Sequence, residues 1–291
     1  MRPIESLVSL TLALGLLVSC AKANIRTGEV SMEEKIKLVV NIDDLGASPD
    51  AAEGAVRLWK AGAISSVSVM AFGEDFDHTV ALLKEHGVPT GVHLALNHGK
   101  GVLSAAEVPS LHGGDGMLWE TVPETMAHLK VDEVRRELEA QIQRLVDAGI
   151  RPSHLDSHMG LIFERPALME IYRSLAVKYR TALALPASSY FDSTRSAFAA
   201  ESLSTSDSLV GLYELPGGAA ETPENRKSAY AALLSSLRGG LNHLYSHPAP
   251  PTEAVKATYG DHPIRNDDYA VFLSAEWKEM LAERKIELSG Y

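Results

Sequence analysis

The chain has 291 residues, 45% of them hydrophobic and 22% charged, with a formal net charge of -11 and a single cysteine. This composition excludes a disordered chain and a polytopic membrane protein, and the length suits one large α/β domain. An acidic balance without any run of Lys or Arg excludes nucleic acid as a partner, because phosphate binding needs a basic footprint.

At the amino terminus, Arg2 precedes an apolar run from Leu7 to Val18, as long as a signal-peptide core and too short to span a bilayer. The run ends in Leu17-Val18-Ser19-Cys20, which resembles a bacterial lipobox. Residues 1–20 are therefore expected to be a lipoprotein signal peptide, with Cys20 carrying lipid and anchoring the protein to a membrane of the bacterial cell envelope, outside the cytoplasm. The alternative is an ordinary secretory signal that ends near a cysteine. Several acyl chains on Cys20 would hold the protein firmly, whereas one would not. Residues 21–36 lack a sustained apolar period and read as a tether to a single catalytic domain over 37–291.

That domain opens with a β-rich run, Lys37 to Ile42, ending in Asp43-Asp44-Leu45-Gly46. A helix over 51–60, a strand over 66–70, a helix over 76–86 and a strand over 90–96 follow, so strands and helices alternate. Residues 97–123 carry several Gly and Pro and read as a long functional loop. Val131, Val134, Leu138, Ile142, Leu145 and Val146 recur at helical spacing up to Gly149. A polar strand end, Ser153 to His158, a helix over 166–179 and a last strand, Leu241 to Pro248, complete the pattern, while 187–210 gives no clear assignment. Alternation of this kind predicts an α/β fold, and an α/β barrel carries its chemistry at the carboxyl ends of the strands.

Four strand ends carry candidate chemistry: Asp43 and Asp44; His93; His154, Asp156 and His158; and His247. Two imidazoles and a carboxylate make a facial set for a divalent ion with positions left open for water and substrate. In an Asp-Asp pair one carboxylate can bind metal while its neighbour takes a proton from water. Each piece also has a plainer explanation: a helix cap for the Asp pair, packing for His93. The cluster His154-Leu155-Asp156-Ser157-His158 is harder to explain by packing. His78, His86, His98, His112, His128, His243 and His262 fall in expected helices or loops and read as solvated surface residues.

Taken together, Val40-Asn41-Ile42-Asp43-Asp44-Leu45-Gly46, Gly91-Val92-His93-Leu94, His154-Leu155-Asp156-Ser157-His158 and Ser246-His247-Pro248 resemble the motifs of the YdjC/ChbG-type carbohydrate deacetylase family over residues 37–291. The resemblance implies a distorted, TIM-like (β/α) barrel and a metal-dependent hydrolase that removes acetyl groups from N-acetylated sugars. It implies one divalent ion, magnesium or zinc, held by Asp44, His93 and His158, with Asp43 as base. His247 would protonate the leaving amine or stabilise the oxyanion, and His154 and Asp156 are possible further ligands or supporting residues. Many members of the family carry a further histidine where this chain has Gly160, which bears on the choice of substrate. A hydrolase of another amide, an ester or a phosphoester on the same barrel, and a non-catalytic glycan-binding surface lipoprotein, are the alternatives.

Overall fold

The computed structural model describes Glu34–Tyr291. The signal segment with Cys20 and nearly all of the expected tether lie outside the described residues, and the tether's last residue, Ile36, already belongs to the first strand. Among the described residues no helix is long and apolar enough to cross a membrane.

Eight strands form one parallel sheet: β1 (Ile36–Leu45), β2 (Ser66–Val69), β3 (Thr90–Leu94), β4 (His154–Ser157), β5 (Ala182–Leu183), β6 (Ser208–Gly211), β7 (Gly240–Ser246) and β8 (Glu287–Leu288). Seven of them run in the order β5-β4-β3-β2-β1-β7-β6, and β8 pairs with the start of β1. The ends of this row meet, because Leu183 of β5 bridges Thr205 just before β6 and exchanges hydrogen bonds with Ser204 and Ser206 at 3.1 and 3.0 Å. The expected distorted barrel is therefore present. Leu241 to Pro248, however, does not hold the last strand, since β8 follows it.

Ten helices accompany the strands: α1 (Pro49–Lys60), α2 (Phe76–Glu85), α3 (Val122–His128), α4 (Val131–Asp147), α5 (Pro166–Tyr179), α6 (Asp192–Ala200), α7 (Pro223–Ser236), α8 (Glu253–Thr258), α9 (His262–Leu273) and α10 (Ala275–Glu283). α6 and β6 occupy the stretch that the sequence left unassigned.

Side chains along a strand alternate between its faces, and here the alternation separates apolar from polar. Leu38, Val40, Ile42, Val67, Val69, Val92, Leu94, Leu155 and Leu244 join the hydrophobic core shared with the helices. Asn41, Asp43, Ser68, His93 and Asp156 occupy alternate positions and bond to one another inside the barrel. An ordinary barrel of this class fills its interior with branched apolar residues; this one fills it with ionisable and hydroxyl groups.

The apolar stripe of α4 faces the barrel, and its neighbouring polar positions Glu133, Glu137 and Gln141 are buried too. Gln141 bonds both the N–H and the carbonyl of Ala95, Glu137 accepts from the N–H groups of Val102 and Leu103, and Glu133 from that of Ser110. The long loop after β3 is thus fixed by one helix face.

The carboxyl-terminal helices are fastened by Arg226 of α7, which is fully buried. Its Nε donates to Asp268 of α9 at 2.6 Å, its Nη2 to the carbonyl of Leu212 at 2.7 Å and its Nη1 to Glu221 at 2.9 Å. Tyr230 donates to the same Asp268 oxygen at 2.8 Å. Asp268→Ala removes one of the two carboxylates on the buried guanidinium and leaves the Tyr230 hydroxyl without its acceptor, so stability should fall by about 3 kcal/mol, read as a lower urea midpoint, and Asp268→Asn should lose less.

Candidate metal centre and active site

At the carboxyl ends of β1, β3, β4 and β7 lies a cavity of about 900 Å³ whose lining includes Asp43, Asp44, His93, Asp156, His158 and His247. All six sequence candidates at the strand ends other than His154 therefore reach one space. His154 is fully buried deeper in the barrel.

Consecutive Asp43 and Asp44 would point to opposite faces of a regular strand. The pairing of β1 with β2 shifts register between Ile42 and Leu45, and Asp44 takes a left-handed φ of 64°. That break in the strand brings both carboxylates into the cavity, at the cost of local strain of the kind found at functional sites. Met159, directly after His158, is also left-handed, with φ 52°.

Three donor atoms form a nearly equilateral triangle. Asp44 Oδ1 lies 3.2 Å from His93 Nε2 and 3.3 Å from His158 Nδ1, and the two imidazole nitrogens are 3.2 Å apart. Ligands bound at about 2.0–2.1 Å in a tetrahedron are separated by roughly 3.3 Å, so the three atoms stand where one divalent ion would place them. Asp44 Oδ1 is moreover buried without a hydrogen-bond partner, as a ligand atom would be.

The surrounding groups set these donors. His93 Nδ1 is 2.8 Å from Asp156 Oδ1, a bond that fixes the ring and leaves Nε2 facing the triangle. Asp156 accepts from Asn41 at 3.2 Å, and the same amide donates to Asp43 Oδ1 at 2.7 Å. The other oxygen of Asp44 accepts from Arg265 of α9 at 2.9 Å, while Asp261 holds the guanidinium at 2.7 Å and Tyr259 lies beneath it at 4.2 Å. A second possible ligand group, Asp43, His93 and Asp156, fits less well. Its imidazole nitrogen is already bonded to Asp156, and Asn41 bridges its two carboxylates.

Electrostatics divide the adjacent carboxylates. Burial pushes the Asp43 carboxyl well above the usual range, and the neighbouring Asp156 and Asp44 push the same way against His93 and Asn41. Burial also acts to raise Asp44, but the adjacent imidazoles of His158 and His93, with His247 and the Arg265 guanidinium, outweigh it and hold its carboxyl well below that range. Burial opposes a charged His93, yet Asp156 and Asp43 raise it well above the ordinary imidazole value. The cluster thus demands positive charge at its centre. Burial lowers His247 to about 4, helped by Arg265 and His93 and opposed by Asp44. His247 Nε2 lies 3.7 Å from Asp44 Oδ2.

Two histidines expected at the surface are buried, His243 and His112. His98 lines the cavity and meets the edge of His158 at 5.7 Å between ring centres. The strand alternation that places Asp43 inward would also have identified Asn41 and His243. No local signal marks Arg265, which arrives from a helix more than two hundred residues after Asp44.

A model of the YdjC-like protein family matches residues 37–283. A carbohydrate deacetylase of Brevibacillus brevis is 29% identical over 257 residues, 87% of this chain and 97% of that protein. Another, from Listeria monocytogenes serotype 4a, is 27% identical over 260 residues, covering 88% of this chain and 99% of the relative. A solved structure described as a putative cellobiose-phosphate cleavage protein of Enterococcus faecalis superposes with a TM-score of 0.75, at 24% identity over 88% of this chain and 98% of its own. That likeness shows a shared fold.

Removing a ligand should abolish tight zinc binding in Asp44→Ala. Asp156→Asn, which only loosens the orientation of His93, should weaken binding about 10–100-fold. Calorimetric titration with zinc reads both, and wild-type affinity in Asp44→Ala would reject the assignment.

Proposed function

From the premise that this chain belongs to the YdjC-like protein family, we propose that it is a metal-dependent deacetylase that hydrolyses the acetamido group of an N-acetylated sugar or oligosaccharide. The observation that carries this reading is the donor triangle of Asp44, His93 and His158 beside a second carboxylate, Asp43, whose proton affinity is raised. The names of the deacetylase relatives support the choice of substrate class.

A divalent ion, magnesium or zinc, held by Asp44, His93 and His158 would polarise the amide carbonyl and lower the pKa of an attacking water. Asp43 accepts the proton of that water. Its carboxyl is buried and raised in proton affinity, which suits it to take the proton of the water and return it to the departing amine. Asn41 holds Oδ1 of Asp43, so the base keeps a fixed orientation.

His247 suits oxyanion stabilisation better than acid catalysis. Held near 4, it is neutral at physiological pH, and a divalent cation beside Asp44 would push it further in the same direction. A neutral imidazole N–H can still donate to the carbonyl oxygen as negative charge develops there. The faces of Phe163, Tyr213 and Tyr245 on the cavity wall suit the apolar face of a pyranose ring.

The test is acetate release from a panel of N-acetylated oligosaccharides by zinc-loaded protein. Asp43→Asn should keep its metal and lose roughly 100- to 10,000-fold in turnover. His247→Ala should slow an N-acetyl sugar and an activated aryl acetate by similar factors, because both pass through an oxyanion. A loss confined to the amide substrate would instead make His247 the acid. No acetate from any sugar, with an ester or phosphoester cleaved, would move the activity to another hydrolysis.

The proposal places this enzyme at the cell envelope, outside the cytoplasm, held through lipid on Cys20. Leu17-Val18-Ser19-Cys20 after an apolar run supports this placement. Cys20→Ser should abolish lipid labelling and release the protein from the membrane fraction, whereas an unsubstituted protein found wholly in the soluble fraction would reject the anchor.

A further inference from the structure

One inward-facing layer below the donor triangle, the barrel holds a second group of potential ligands. His154 stands two residues before Asp156 on β4, and His243 stands four before His247 on β7. Both imidazoles are fully buried, and ligand atoms of His154, Asp156 and His243 lie within 4.8 Å of one another. The rings meet edge to face with centres 5.4 Å apart. Gly91 on β3 makes the room, since a Cβ there would come within 2.5 Å of the His154 ring.

Each imidazole has one nitrogen occupied and one free. His154 Nδ1 is 2.9 Å from Ser153 Oγ, and His243 Nδ1 is 2.7 Å from the Tyr291 hydroxyl. Each hydroxyl can accept from Nδ1, and in that tautomer Nε2 carries a lone pair, as in metal-bound histidines with an outer partner. The Nε2 atoms of both residues are buried without a hydrogen-bond partner. His154 Nε2 lies 3.5 Å from Asp156 Oδ2, close to the separation of two ligands on one tetrahedral ion. Unpartnered buried nitrogens are costly, and two of them beside a carboxylate oxygen are relieved by one shared cation.

We infer that His154, Asp156 and His243 form a second divalent-cation site, of zinc type given its two imidazoles, beneath the first and linked to it through Asp156. Asp156 would use Oδ1 for His93 and Oδ2 for the second ion. Asp156 and His243 both line the large cavity, so an ion that enters the first site has a way to the second. Binding is stepwise: Asp43, Asp44 and Asp156 are buried close together and Arg265 pairs with Asp44 alone of the three, so the first ion offsets the excess negative charge and the second is held more weakly. The inference does not depend on the deacetylase reading, since it concerns ligands and not turnover.

Equilibrium dialysis of the protein against zinc alone, with metal measured by atomic spectrometry, tests the site. Bound zinc should rise in two steps to two ions per chain. His243→Asn should remove the weaker step and keep the tighter one, and Asp44→Ala should do the reverse. Anomalous scattering at the zinc edge from crystals of the unsubstituted protein supplies a measurement that survives any folding defect in the variants. Two peaks, one between Asp44, His93 and His158 and one between His154, Asp156 and His243, would establish the site. Saturation at one ion, or a second peak elsewhere, would overturn it and leave a proton or a water molecule as the partner of the two nitrogens.

Discussion

Polar groups enclosed in the barrel must satisfy one another, and the rest of the molecule is arranged around that requirement. Burial without a partner costs each such group several kcal/mol in an apolar surrounding, roughly. Asn41 is the residue on which the solution turns: it accepts from Ser66 at 2.6 Å and donates to Asp43 and to Asp156. It thereby links β1, β2 and β4 across the interior and holds two carboxylates that would otherwise repel. Asp156 in turn orients His93, so the position of one nitrogen of the donor triangle depends on an amide two strands away in the sheet order.

The same crowding sets the chemistry. Adjacent carboxylates in one backbone turn would be equivalent in water. Here Arg265 and two imidazoles gather on Asp44, while Asp43 is left with burial and two neighbouring negative charges. A pair of groups driven apart in this way can divide metal binding from proton transfer, which is the separation a hydrolase needs. The guanidinium that completes the division comes from α9, itself held to α7 by the buried Arg226–Asp268 pair. Architecture distant from the cavity therefore bears on the charge state inside it.

The cavity wall follows the same economy of structure. The loop between β3 and α4 carries His98, and it is held both by Val108, Leu111 and Leu118, which join the core, and by polar groups of α4. Glu133, Glu137 and Gln141, spaced four apart along that helix, bind backbone groups of the β3 exit and the loop directly.

Much of this was legible in the sequence because the signals are local. The helix over 166–179 matches α5, and helix α4 begins where its periodicity begins, since the spacing of apolar residues is dictated by the element itself. The residues that meet in the cavity were legible as well, through short motifs at strand ends. The strands β6 and β8 were not, because two- and four-residue strands leave too few residues to show a period. His243 was misjudged for a different reason: its inward position follows from the alternation of β7, but its burial depends on strands that close around it. The sequence by itself thus determined the alternation of strands and helices and the strand-end residues that share one cavity. Only the tertiary structure decided that Arg265 binds Asp44, that Asp43 and Asp44 differ in proton affinity and that His154 meets His243, because each is a contact between residues far apart in the chain, and charge and burial are properties of the assembled interior.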